Sequence, residues 1–118
     1  MKFYNQTSTI RIYIGSYRLG EIVSYCVTYE EDTSSGVTSG NGYPMYYTIT
    51  VEYVVPNEDI KNLDIHSLDQ TDVTIYLRGD KIKYKNCELS IATETLGKDG
   101  RFYRKASYKC ISREVTKA

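Results

Sequence analysis

Two stretches of this chain alternate β-branched or aromatic residues with polar ones, and each is broken by a short turn containing glycine. The first runs from Ser8 to Tyr29 around Gly15-Ser16-Tyr17, and the second from Asp72 to Ile91 around Arg78-Gly79-Asp80. A period of two places successive side chains on opposite faces, the pattern of half-buried antiparallel strands joined as hairpins. Ile10, Ile12 and Ile14 therefore share one face of the first strand. The second strand, about 20–30, sets Val23, Tyr25, Val27 and Tyr29 against Ile22, Ser24, Cys26 and Thr28.

The same pattern continues through the chain. Tyr47, Ile49, Val51 and Tyr53 point inward from a strand at about 45–55, which Pro56 ends by removing a ladder donor. Strands at 73–77 and 81–85, another near 88–95 and a long one at about 101–115 complete the reading, the last two joined around Leu96–Gly100. In the last strand Phe102, Ala106, Tyr108 and Cys110 occupy even positions, with Arg104 and Ser112 as polar interruptions. Only Asn57–Gln70 departs from this pattern, with Asn57 placed to cap one or two helical turns. Six or seven strands with at most one short helix predict an all-β fold, a two-sheet antiparallel sandwich or a barrel. At 118 residues the chain reads as a single β domain over 1–118, long enough for an ordinary core.

Between the second and third strands, Glu31–Tyr43 is rich in small polar residues and holds three glycines. Such a segment cannot fill a core, and a loop of this length in a compact domain commonly carries function. Beside it lies the chain's oddest compositional feature: thirteen tyrosines against two phenylalanines and no tryptophan. Rings that must be apolar at one end and wet at the other suit protein–protein contacts. The expected contact surface is therefore Ser34, Ser35, Val37 and Asn41 of the loop with Tyr43, Tyr46 and Tyr47 at its foot.

Chemistry is poorly represented. The single histidine, His66, has Asp64 and Asp69 nearby but no second imidazole or thiol at ligand spacing. No Gly-x-Ser-x-Gly elbow exists to present a nucleophile. No enzyme, metal or cofactor is expected. Cys26, Cys87 and Cys110 lack a Cys-x-x-Cys arrangement and read as reduced thiols. There is neither a leader-like start nor an apolar run of bilayer length, so no membrane partner is expected. Lys plus Arg and Asp plus Glu are each 15. A dedicated nucleic-acid binder usually carries a basic excess, because phosphate neutralisation supplies most of its affinity. The local excess at Lys98, Arg101, Arg104, Lys105, Lys109, Arg113 and Lys117 reads best as a solvated strand face.

Two segments resemble the tail-tube proteins of phages and related injection devices. The opening Ile10–Tyr25, with its Leu19-Gly20-Glu21, is similar to that family's first hairpin. Tyr84–Ile91, followed by Gly97, Lys105 and Arg113-Glu114-Val115, resembles its closing strands. The resemblance implies a structural virion protein, made in the host cytoplasm and built into the tail. It implies self-association into hexameric rings or tubes, contact with other tail proteins, and passive contact with DNA in a channel. The loop at 31–43 would stack one ring on the next. A tail-tip relative of the same fold, or a small phage-encoded inhibitor that binds a host protein, fits the same residues.

Overall fold

The computed structural model describes residues 10–31, 44–56 and 70–118. Eight strands form within them: β1 (Arg11–Ile14), β2 (Tyr17–Arg18), β3 (Ile22–Glu31), β4 (Met45–Val55), β5 (Thr71–Leu77), β6 (Asp80–Leu96), β7 (Phe102–Cys110) and β8 (Ser112–Lys117). All pairings are antiparallel, and the order is β2-β1-β5-β6-β7-β4-β3, with β8 also on β6. The all-β expectation therefore holds for the described residues. The sheet is continuous and does not close into a barrel. The segments 1–9, 32–43 and 57–69 lie outside the described residues, and with them all but Gln70 of the Asn57–Gln70 stretch expected to hold helical turns and most of the 31–43 loop.

The spine of the fold is β6, whose 17 residues serve two neighbourhoods. Its first part, Asp80–Lys85, pairs with β5 on one side and β8 on the other. Its second part, Glu88–Leu96, pairs with β7. The changeover falls at Asn86, which adopts a left-handed φ of 54°, a conformation that asparagine tolerates better than most residues. The Asn86 amide donates to Oδ1 of Asp72 at 3.1 Å, satisfying the group that the bend releases. On the partner side the chain bends at Ile111, between β7 and β8. The sequence suggests separate strands near 81–85 and 88–95 and one strand over 101–115; the structure reverses both divisions. Alternation continues smoothly through the C-terminal segment, so periodicity does not register that its pairing partner changes from one end of β6 to the other.

Two half-sheets thus meet over one core. Ile12, Ile14, Val73, Ile75 and Tyr84 come from one half. Ile22, Ile49, Val51, Tyr53, Val55, Ala106 and Tyr108 come from the other. Contact across the core is direct: the rings of Tyr47 in β4 and Tyr84 in β6 pack edge-on with centroids 5.6 Å apart.

One local irregularity alters a face assignment. The β3–β4 register shifts between Ile22, opposite Tyr53, and Ser24, opposite Glu52, so Val23 is an extra, bulged residue. A bulge reverses the inside–outside assignment beyond it. Ile22 is buried together with the partly buried Tyr25 and Val27, and Val23 is turned out. The strict alternation expected of this strand, with Ile22 facing away from Tyr25 and Val27, is corrected accordingly.

Turn chemistry follows the sequence closely. Arg78 and Gly79, with φ of 53° and 84°, are the two central residues between paired Leu77 and Asp80. Positive φ at both positions matches the twist of the flanking strands. The β6–β7 loop is tied by the Gly97 amide donating to the Arg101 carbonyl at 2.8 Å and by the Arg101 amide donating to Oδ1 of Asp99 at 3.0 Å.

Candidate assembly surfaces

In the half built from β6, β7, β4 and β3, the two outer strands each pair on one side only among the described strands. β3 pairs with β4 alone, and β6 from Glu88 to Leu96 pairs with β7 alone. Both edges carry apolar side chains in water: Val23 and Tyr29 on β3, Ile91 and Leu96 on β6, the last two about three-fifths exposed at 62% and 61%. The other large exposed apolar residues among those described are Ile111 at the bend and Val115 on β8, which pairs with β6 alone. An open edge invites pairing with another chain, and exposed apolar residues along it add to that tendency.

Direction matters as much as exposure. The four strands of this half alternate in sense, so β6 and β3 run in opposite directions. Copies related by a rotation about an axis roughly along the strands could therefore set β3 beside a neighbour's β6 and preserve antiparallel alternation. Head-to-tail contacts of this kind close into rings when the rotation divides a full turn.

Apart from Val23 and Ile91 at its two edges, the outward face of this half is polar and balanced. Lys105 lies opposite Glu52, and Lys109 opposite Glu88, in cross-strand pairs. Thr50 and Ser107 hydroxyls lie 3.0 Å apart, and the Ser90 hydroxyl donates to the Ser107 carbonyl at 3.0 Å. Opposite charges facing one another across a ladder leave little net field.

The two described members of the sequence-derived contact surface do not share one. Tyr47 points inward, in a row with Tyr29 (centroids 4.5 Å apart) and Tyr84. The guanidinium of Arg113 lies 5.4 Å from the Tyr47 ring centre and 6.0 Å from that of Tyr84. Tyr46 points outward; its hydroxyl donates to Oε2 of Glu30 at 3.3 Å, and Lys109 sits 4.2 Å from its ring centre. Ser34, Ser35, Val37, Asn41 and Tyr43 lie outside the described residues, as do Asp64, His66 and Asp69. Burial raises the Tyr25 hydroxyl well above the ordinary tyrosine range, and its neighbour Tyr84 adds to the shift. The Tyr84 hydroxyl is itself buried without a hydrogen bond of good geometry.

The expected solvated basic face also changes character. Arg104 points into the core and is 1% exposed; Nη2 donates to Oε1 of Glu94 at 2.9 Å and Nη1 to the Tyr53 hydroxyl at 3.3 Å. Arg101 pairs with Glu21 at the same end of the sheet, and Lys117 lies 3.7 Å from Asp80. The basic residues are largely spent on internal partners. Sequence reasoning missed Ile91, turned outward by the ladder shift after Leu89, and Leu96, on a stretch of β6 with no second neighbour among the described strands, and it placed Arg104 by charge although its even position shared the core face.

Among the described residues no group of three or more His, Cys, Asp or Glu side chains is arranged to hold a metal ion, and no helix is long and apolar enough to cross a membrane.

No family model matches the sequence, and no curated protein matches it. The fold does match solved structures. The anti-feeding prophage cap (the AFP tube-terminating cap) aligns at a TM-score of 0.59 and 11% identity, over 100% of this chain and 94% of that one. A chain of the extended sheath–tube complex of the extracellular contractile injection system PVC aligns at 0.56 and 12% identity, over 92% and 88% of the two chains. A chain from the tail of an empty GTA particle, solved with C6 symmetry, aligns at 0.58 and 6% identity, over 93% and 94%. The fold is thus one found in components of tails and tail-like particles.

Proposed function

We propose that this chain is a structural component of a phage tail or tail-like particle, assembling with copies of itself through the edges of β3 and β6. The observation that carries this reading is the pair of oppositely directed edges left unpaired among the described strands on one four-stranded half, each with exposed apolar residues. Val23 and Tyr29 of one copy and Ile91 and Leu96 of the next leave water when the edges meet. Six copies form a ring in this reading, and segment 31–43, with Ser34, Ser35, Val37, Asn41 and Tyr43 and with the outward-facing Tyr46 at its foot, bridges stacked rings or meets other tail proteins. The balanced outward face of β3, β4, β7 and β6 then lines a channel that DNA touches only passively, since a basic lining would hold the polymer by counterion release. The protein is made in the host cytoplasm, acts in the particle, and carries out no catalysis.

Negative-stain microscopy and light scattering across a concentration series test the reading. Rings or tubes that disappear in the Leu96→Lys variant, with the β circular-dichroism signature retained, are the expected result. A protein that stays strictly monomeric at high concentration overturns it and favours a binder of a host protein.

A further inference from the structure

Cys87 and Cys110 sit on opposite strands at the bend. Lys85 pairs with Ser112 on one side of it and Glu88 with Lys109 on the other. The register is the same on both sides, which places Cys87 directly opposite Cys110. Opposed residues in an antiparallel pair have Cα atoms roughly 4.5–5.5 Å apart, within the span of about 4.4–6.8 Å that a disulfide bridges. Both side chains turn to the core, at 0% and 4% exposure, and the two thiols lie close enough to perturb each other's ionisation. Both are free thiols; Cys87 Sγ donates weakly to the Tyr84 carbonyl at 3.4 Å and Cys110 Sγ to the Ser112 carbonyl at 3.6 Å. An open cavity of about 450 Å³ at the bend, lined by Cys110 together with Asn86, Lys109 and Ile111, leads from solvent to one of the pair.

We propose that Cys87 and Cys110 are a latent cross-strand disulfide, closed by exchange with a small-molecule disulfide that enters through the cavity at the bend. The Cys110 thiolate attacks one sulfur of glutathione disulfide, breaking its S–S bond and releasing one glutathione thiolate. The Cys87 thiolate then attacks the Cys110 sulfur of the mixed disulfide and releases the second. Two protein thiols are oxidised, one glutathione disulfide is reduced to two thiols, and the two cysteine protons pass to the departing thiolates. Burial raises both thiols above their ordinary range, which keeps the thiolate fraction small and makes closure slow near neutral pH. The bond joins β6 to the β7–β8 corner, so it fixes the bend on which both half-sheets depend.

The test uses the full chain with the exposed Cys26 replaced by Ser, incubated folded with glutathione disulfide. Expected are loss of two hydrogens from the intact mass, a Cys87–Cys110 linked peptide after digestion, and a melting midpoint raised by roughly 10 °C and restored by dithiothreitol. Two free thiols persisting in the folded protein, while the denatured chain oxidises readily, overturn the proposal. A stable glutathione adduct on Cys110 without linkage, or a linked form that melts below the reduced one, overturns it equally.

Discussion

The guanidinium of Arg104, almost wholly enclosed, is held at 2.9 Å by Glu94, whose carboxylate is half in water at the open rim of β6. With Tyr53, opposite Arg104 on β4, these residues form a row across three strands on the core face. Removing one partner of an enclosed ion pair leaves a charge without compensation. The 48% exposure of Glu94 and the remaining Tyr53 contact reduce that penalty. Glu94→Gln is expected to lower unfolding free energy by about 1–2 kcal/mol in urea titrations. Arg104→Met, which removes the charge and retains bulk, is expected to cost less than Arg104→Ala.

Turn geometry gives a second expectation. Gly79 has a φ of 84°, which side chains adopt poorly, although a Cβ there would meet nothing within 4 Å. Gly79→Ala is therefore a backbone effect alone, expected to destabilise by about 1 kcal/mol. At Gly97 a Cβ would come within 2.6 Å of the Tyr103 ring. Gly97→Ala must displace that ring, so its thermal midpoint should fall with an accompanying change in the tyrosine near-ultraviolet signal, absent for Gly79→Ala.

The alternation of β1, β4 and β7 was legible, since each core residue there lies at the position that a period of two assigns. What periodicity could not show is where alternation restarts. The bulge at Val23 costs one residue and moves Ile22 to the same side as Tyr25, while the ladder shift between Leu89 and Ile91 turns Ile91 outward, opposite Ser107. Both effects arise from pairing with a distant strand, which local sequence does not encode. The edges of the described sheet were invisible for the same reason: an edge is defined by which strands pair and which do not. The tyrosine surplus reads in sequence as a contact surface; in the described part it is divided between Tyr47 and Tyr84, which pack on the core side with the edge ring of Tyr29 against Tyr47, and outward rings such as Tyr46.

Alkaline pH should unfold the protein earlier than its sequence alone would suggest. Burial raises Cys87, Cys110, Tyr25 and Tyr53 in the folded state. A group with a raised folded value favours folding fully below its unfolded pKa, and that contribution is lost as pH rises above it. Stability is expected to decline from about pH 8.5, where unfolded thiols ionise, and more steeply above about pH 10, where unfolded tyrosines do. Replacing Tyr25 with Phe should flatten the upper limb of a stability–pH curve measured under reducing conditions, and an unchanged limb would count against burial as the cause.

Edge contacts yield a last expectation. Burying a leucine-sized side chain is worth about 1.5–3 kcal/mol. Ile91→Lys and Leu96→Lys should each shift self-association, followed by sedimentation velocity, to at least tenfold higher concentration. Lys105→Thr on the balanced outward face should leave it unchanged.

Because a single strand, β6, belongs to both half-sheets, the halves cannot be pulled apart by parting side-chain contacts alone. A mechanical load acting along β6 falls on its ladder to β7 and β8 in shear, where many hydrogen bonds resist together, rather than in the unzipping direction, where they yield in turn. A contractile or ejecting machine would subject its parts to that kind of stress.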